Sequence, residues 1–137
     1  MQIDFSQVED VQVFTSVPEG TYVVKVAEVR EGLTREGSPR WSMRLEVVRG
    51  DLTGRTAAWD SLAWSERGLR RVKHVLDKLG FDVAGSLEVH AEQLVGLEVV
   101  AEIKHEERED PGTGTRQVRP RVPFLGYESV AAANGGV

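Results

Sequence analysis

The most regular pattern in the chain is the strict alternation over residues 41–47, where Trp41, Met43, Leu45 and Val47 interleave with Ser42, Arg44 and Glu46. A period of two sends the four apolar side chains to one face, as a strand with one buried side requires. Before it, Pro18-Glu19-Gly20 is turn chemistry, and Thr21 to Arg30 (TYVVKVAEVR) is rich in β-branched residues with partial alternation, which predicts a first strand. Gly32 to Pro39 separates the two runs. After Gly50-Asp51-Leu52-Thr53-Gly54, Arg55 to Leu62 is expected to pair antiparallel with the second strand, giving a three-stranded meander.

The period then changes. Leu69, Val72, Val75, Leu76 and Leu79 recur at helical spacing between Ser65, a candidate N-cap, and Gly80, a candidate residue to end the helix. Arg67, Arg70, Arg71, His74 and Lys78 fall within about 100° of arc on the opposite side, which predicts an amphipathic surface helix with a solvated basic face or a secondary track for a wrapped strand. A short apolar or helical connector is expected around His90 to Val95. Leu97 to Lys104 (LEVVAEIK) reads as a fourth strand, Asp110-Pro111-Gly112-Thr113-Gly114 as a hairpin loop and Arg116 to Leu125 as a fifth, bent or at an edge because of Pro120 and Pro123. Three strands, one helix and two strands is the element order of an OB barrel. The expected fold is therefore mainly β, a five-stranded OB-type barrel with one helix between strands three and four. An N-terminal arm (1–17), an OB-like domain (18–127) and a flexible C-terminal tail (128–137) would make up the chain.

Composition adds limits rather than detail. With 137 residues, 40% hydrophobic and 28% charged, the chain has the size of one domain that buries its own core. The absence of cysteine removes disulfides, thiol catalysis and cysteine-ligated zinc, and fits a cytoplasmic location. No segment reads as a secretory signal or a membrane span. The net charge of −5 argues against a protein held to duplex DNA by a general positive field. The charge is uneven, however. Residues 81–110 hold 9 acidic and 2 basic side chains, whereas residues 66–80 hold 5 basic against 2 acidic, and residues 111–127 hold 3 basic and none acidic.

Enzyme motifs are missing: there is no Gly-x-Ser-x-Gly elbow, no phosphate loop and no dinucleotide fingerprint. His74, His90 and His105 are widely spaced and form no His-x-x-x-His pair. Glu106, Glu107, Glu109 and Asp110 offer oxygen ligands but no EF-hand spacing, so they read as solvated hairpin charge. No cofactor is implied. A binding module needs aromatic faces and cations, because single strands are held by stacking and phosphate contacts. On an OB barrel the outer face of strands two and three and the adjoining hairpin loops would present Lys25, Arg35, Arg40 and Arg44. Alternation sends Arg119 and Arg121 outward together on the fifth strand, as phosphate contacts or as ordinary charge that blunts a strand edge. Trp59 is the preferred stacking platform, although Thr56-Ala57-Ala58-Trp59-Asp60 leaves its register undecided. Trp41 shares the parity of the buried positions and is a second candidate, expected to be at least half buried. Trp64 is expected to close one end of the barrel.

Several runs carry a likeness: Pro18-Glu19-Gly20-Thr21-Tyr22-Val23-Val24-Lys25-Val26, Leu45-Glu46-Val47-Val48 with Gly50 and Gly54-Arg55, Trp59-Asp60-Ser61-Leu62, and the helix Leu69 to Gly80. Over residues 18–127 they resemble a phage-associated family of small proteins of unassigned function that are themselves similar to single-stranded DNA-binding proteins. The resemblance implies an OB-like fold, no enzymatic activity and a role in DNA replication and recombination, protecting single strands or presenting them to a recombinase or replication protein. It supplies no binding-residue motif. The chain ends in Asn134-Gly135-Gly136-Val137 rather than in an acidic, aromatic-ended tail, so recruitment of partners through the tail is not expected. Two readings follow. One is a single-stranded DNA binder acting through the residues named above, with oligomeric state open and a homodimer compatible. The other is a protein-interaction or assembly module in which the acidic segment Glu98 to Asp110 docks a basic partner and the tryptophans are core.

Overall fold

The computed structural model describes residues 1, 2, 4 and 11–131. Its strands are β1 (Val11–Val13), β2 (Gly20–Leu33), β3 (Pro39–Val47), β4 (Thr56–Ala63), β5 (Glu98–Glu109), β6 (Arg116–Arg121) and β7 (Tyr127–Glu128), and helix α1 (Leu69–Leu79) lies between β4 and β5. The alternation read in residues 41–47 is realised in β3: Trp41, Met43, Leu45 and Val47 are buried while Ser42, Arg44 and Glu46 keep partial exposure on the other face. Val24, Val26, Val99, Ala101 and Ile103 bury the same side of β2 and β5, and Val72, Val75, Leu76 and Leu79 of α1 complete the core. Each fully buried Leu, Met or Val contributes about 1.5–3 kcal/mol by leaving water.

The sheet runs β1-β6-β5-β2-β3-β4, with β7 also paired to β5. Two long strands curl it. β2 pairs with β5 through its first half and with β3 through its second, and a bulge between Val26 and Glu28 lets it bend. β5 likewise leaves β2 to pair with β6 from Lys104 onward. The curl brings β4 near β6, but no ladder joins them, so the sheet of seven strands stays open where a closed five-stranded barrel was expected. The reasons lie in β6. Its free edge at residues 116–118 is taken by β1, which pairs with it in parallel, and Pro120 has no N–H to offer across the gap. Pro123 and the turn closed by Gly126 N–H on the Pro123 carbonyl end the strand before Leu125, and the chain returns as β7.

Other boundaries move for local reasons. The N-terminal segment is not wholly an arm, because it supplies β1, and the expected tail begins inside β7 while its residues 132–137 lie outside the described residues. Ser65 caps one turn early: its Oγ accepts the Gly68 N–H at 3.1 Å. α1 proper starts after Gly68, where a Cβ would lie 2.1 Å from the Ala63 carbonyl oxygen, so only glycine fits. Gly80, at φ 106°, ends the helix with bonds from Gly80 N–H to Asp77 and from Phe81 N–H to Leu76. The connector around His90 to Val95 is a 3-10 turn, Ala91–Gln93. Trp64 packs edge-on against Trp41, ring centres 4.8 Å apart, at one end of the core. No helix among the described residues is long and apolar enough to cross a membrane.

Candidate nucleic-acid interface

The register of β4 decides where the aromatic face lies. Leu45 stands opposite Ala58 but Glu46 opposite Thr56, so one extra residue, Ala57, is accommodated at a bulge. Ala57 and Ala58 are both buried, and beyond them Trp59 and Ser61 turn outward while Asp60 and Leu62 turn inward. Trp59 is 40% exposed. It stands beside Arg44 on the outer face of the sheet, as the stacking expectation requires. Trp41 does not: it is 8% exposed, faces the core and is engaged with Trp64, so it offers no ring to a ligand.

On that outer face an ion-pair lattice runs across β2 and β3. Lys25 Nζ meets Glu46 at 3.4 Å, Arg44 meets Glu46 at 3.4 Å and Glu28 at 3.0 Å, and Arg30 meets Glu28 at 3.2 Å. The Arg44 hydrogen bond holds the Glu28 carboxyl below its ordinary pKa, and the same bond raises that of Arg44. The lattice ends at Trp59, where Arg30 Cζ lies 4.6 Å from the ring centre. Lys25 and Arg44 are therefore committed within the protein. Arg35, in the β2–β3 turn, and Arg40, at the start of β3, are exposed and have no ion pair among the described residues.

The gap between β4 and β6 forms a groove of about 530 Å³. Trp59, Ser61 and Thr56 line one bank, and Arg119, Pro120 and Arg121 of β6, Glu106 and Arg108 of β5, and Phe14 behind β1 line the other. Arg119 and Arg121 share a face, as their alternation predicts, and Arg119 Cζ sits 4.4 Å over the Phe14 ring while its Nε donates to Gln117 at 2.8 Å. Arg121 has no ion pair among the described residues and stands opposite Lys104, so like charges gather there. A second hollow of about 360 Å³, lined by Arg30, Gly32, Arg40 and Ser42, adjoins the other side of Trp59, which is common to both.

One residue ties the two banks where the ladder is missing. Arg71 of α1 donates to Asp60 Oδ2 at 2.7 Å and the Ser61 carbonyl at 3.2 Å on β4, and to the Val122 carbonyl at 3.4 Å just beyond β6. The Tyr127 hydroxyl donates to the same Asp60 carboxylate. Burial pulls the Arg71 pKa down, but the Asp60 bond and charge outweigh it, leaving a net rise; burial and then the Asp60 charge push the Tyr127 phenol well above its ordinary value. This corrects the reading of the helix's basic side as wholly solvated. Arg71 and Lys78 are 16% and 27% exposed, with Lys78 paired to Glu128 at 3.4 Å, because β4 and β7 cover that flank; Arg67 and Arg70 remain exposed.

Glu106, Glu107 and Glu109 of the acidic run lie in the end of β5, and Asp110 follows the strand. Glu106 pairs with Arg108 at 3.1 Å and Glu107 with Arg116 at 3.2 Å, so two of the run's four carboxylates are neutralised in place. Among the described residues no group of three or more His, Asp or Glu is arranged to hold a metal. His105 Nε2 is bonded to the Val17 carbonyl at 2.9 Å, and His90 lies 3.4 Å from Glu88. Phe14 and Arg108 were missed in the sequence. The alternation Val11-Gln12-Val13 before Phe14 was the available signal for the first; the second was hidden inside the acidic run.

The chain belongs to the DUF669 family, described as a protein of unknown function, whose pattern matches residues 1–133. No curated protein matches it.

Proposed function

We propose that this protein binds single-stranded nucleic acid, single-stranded DNA in the first instance, along a path from Arg35 and Arg40 over Trp59 into the groove between β4 and β6. The observation that carries the reading is the groove itself: two aromatic rings, Trp59 and Phe14, and three arginines, Arg108, Arg119 and Arg121, converge with one carboxylate, Glu106, already bonded to Arg108. Stacking supplies a sequence-tolerant hold of about 1–3 kcal/mol per base, and the arginines supply phosphate contacts. Arg30 and Arg119 lie over the two rings, so a base stacking on either ring displaces a guanidinium toward the backbone phosphates. A duplex is disfavoured by the net charge of −5.

The element order and the near approach of β4 to β6 support an OB-like sheet left open at the ligand groove, and the resemblance to phage-associated single-strand binders supports a cytoplasmic role in holding strands for a recombinase or replication protein. The reading is of a binding protein, not an enzyme. The competing reading, a basic partner docked on Glu98 to Asp110, is weakened because Glu98, Glu102, Glu106 and Glu107 all have cationic partners within the chain. Titrating a fluorescent poly-thymidine oligonucleotide with the full chain at low and high salt, reading anisotropy and tryptophan emission, tests the proposal. Salt-sensitive binding with quenching is expected; no binding at low salt overturns it and leaves the interaction module.

A further inference from the structure

A groove of about 280 Å³ lies between α1 and the segment leading from it toward β5. Leu69, Val72 and Leu76 of α1 face Leu87 and Val89 across it, and Trp64 completes the apolar wall. Leu69 and Leu87 are 48% and 40% exposed, so apolar surface converges here instead of being scattered singly. Lys73 is the one charged side chain in the lining, and the exposed acids Glu88, on the facing segment, and Asp77, one helical turn from Lys73, balance it. A rim of mixed sign selects neither an acidic nor a basic occupant, so the fitting one is uncharged and apolar.

The chain itself carries such a group. Phe124 and Leu125 are 52% and 68% exposed at the tip of the turn from β6 to β7, within the uncharged run Val122-Pro123-Phe124-Leu125-Gly126-Tyr127. The turn is pinned at both ends. Val122 and Tyr127 are buried, the Gly126 N–H bonds the Pro123 carbonyl at 2.9 Å, and the Glu102 N–H bonds the Gly126 carbonyl at 2.8 Å. Its tip is preorganised, and docking it orders little additional chain. The turn is fastened to α1 by Arg71, on the Val122 carbonyl, and by Lys78, on Glu128 just beyond it. At about 100° per residue those two lie about 140–180° around the helix from Leu69, Lys73 and Leu76. The body of α1 therefore separates the turn from the groove of its own chain.

We propose that the Phe124–Leu125 turn of one copy enters the groove between α1 and residues 87–89 of a second copy, joining chains head to tail. A cavity of about 150 Å³ holds a benzene ring, so the groove has room for the Phe124 ring together with part of Leu125. Turn and groove are different surfaces, which makes the contact heterologous: a pair of copies still has one free turn and one free groove, and assembly continues past the dimer. Neither surface shares a lining residue with the two hollows at Trp59.

Sedimentation velocity of the full chain without oligonucleotide tests the inference independently of the strand-binding reading. The weight-average sedimentation coefficient should rise between about 20 µM and about 1 mM, the range in which so small a contact associates, and pass the value of a dimer. Leu125→Ser and Leu87→Ser should each weaken self-association about tenfold or more. Both side chains are exposed, and unchanged thermal melts would show that the variants fold. An equimolar mixture of the two variants is the sharper measurement. The first keeps its groove and the second its turn, so one intact contact forms and the mixture should stop at 1:1 dimers. A wild type that stays monomeric at about 1 mM overturns the inference, as does assembly that survives either substitution. A mixture that restores no dimer also overturns it, because a two-fold contact through like surfaces would behave that way.

Discussion

The outer face of β2, β3 and β4 and the bank formed by β6 both present arginines from exposed strands, yet their charges are used differently. On the first, Lys25, Arg44 and Arg30 interlock with Glu46 and Glu28 at 3.0–3.4 Å, and Arg44 alone satisfies two carboxylates. On the second, Arg119 lies over Phe14 and stands opposite Glu106, which is paired with Arg108 instead, while Arg121 faces Lys104. A cation on a strand is available to phosphate only when its cross-strand neighbour does not already neutralise it. The first face is a scaffold that fixes Trp59 from one side; the second supplies the charge.

The largest effect should come from the link between the two. Arg71→Ala removes the guanidinium that spans β4 and the end of β6 and leaves the Asp60 carboxylate buried without it. Urea unfolding should show a loss of about 3–5 kcal/mol, and a loss below about 1 kcal/mol would show that the banks are held otherwise. Next in size is the aromatic contrast. Trp59→Ala should cost about 1–3 kcal/mol of oligonucleotide affinity with little change in melting temperature. An unchanged affinity would remove Trp59 from the path.

The arginine contrast is smaller and more pointed. Arg119→Ala and Arg121→Ala should each lower the slope of log affinity against log salt by about one contact, whereas Lys25→Ala should leave the slope unchanged. Equal effects at all three positions would erase the distinction between the two faces. Smallest is the acid sensitivity of the lattice. Glu28 has its pKa lowered by Arg44, so its contribution is present above the ordinary carboxylate pKa and is lost as pH falls through the lowered folded value. Melting temperatures of the wild type and Glu28→Gln should differ at neutral pH and converge in acid; a constant offset would show that the carboxylate's charge is not what matters.

Much of the scaffold was legible in the chain because local spacing is a property of near neighbours. The alternation of Trp41 to Val47 gave the buried face of β3, and Leu69 to Leu79 gave the helix and its end at Gly80. The helix start slipped from Ser65 to Leu69 because the Ala63 carbonyl crowds position 68, a close approach that no propensity encodes. β1 was illegible for a different reason. Three residues carry little periodicity, and they form a strand only because residues 116–118 offer an edge to pair with. The same edge contact brings Phe14 to the groove. Trp59 could be named as a stacking candidate but not oriented, since the bulge at Ala57 that turns it outward depends on the pairing with β3.

By itself the sequence determined the kind and order of the five longer strands and the helix, the inward face of β3, the apolar stripe of α1, and the residue types a single-strand binder would use. Only the tertiary structure decided that the sheet stays open between β4 and β6, that Trp41 is core while Trp59 is surface, and which arginines are spent on internal carboxylates. The physical reason is that periodicity is written along the chain, whereas charge pairing and aromatic exposure are set by sheet register, which joins Glu28 to Arg44, and by helix docking, which joins Arg71 to Asp60.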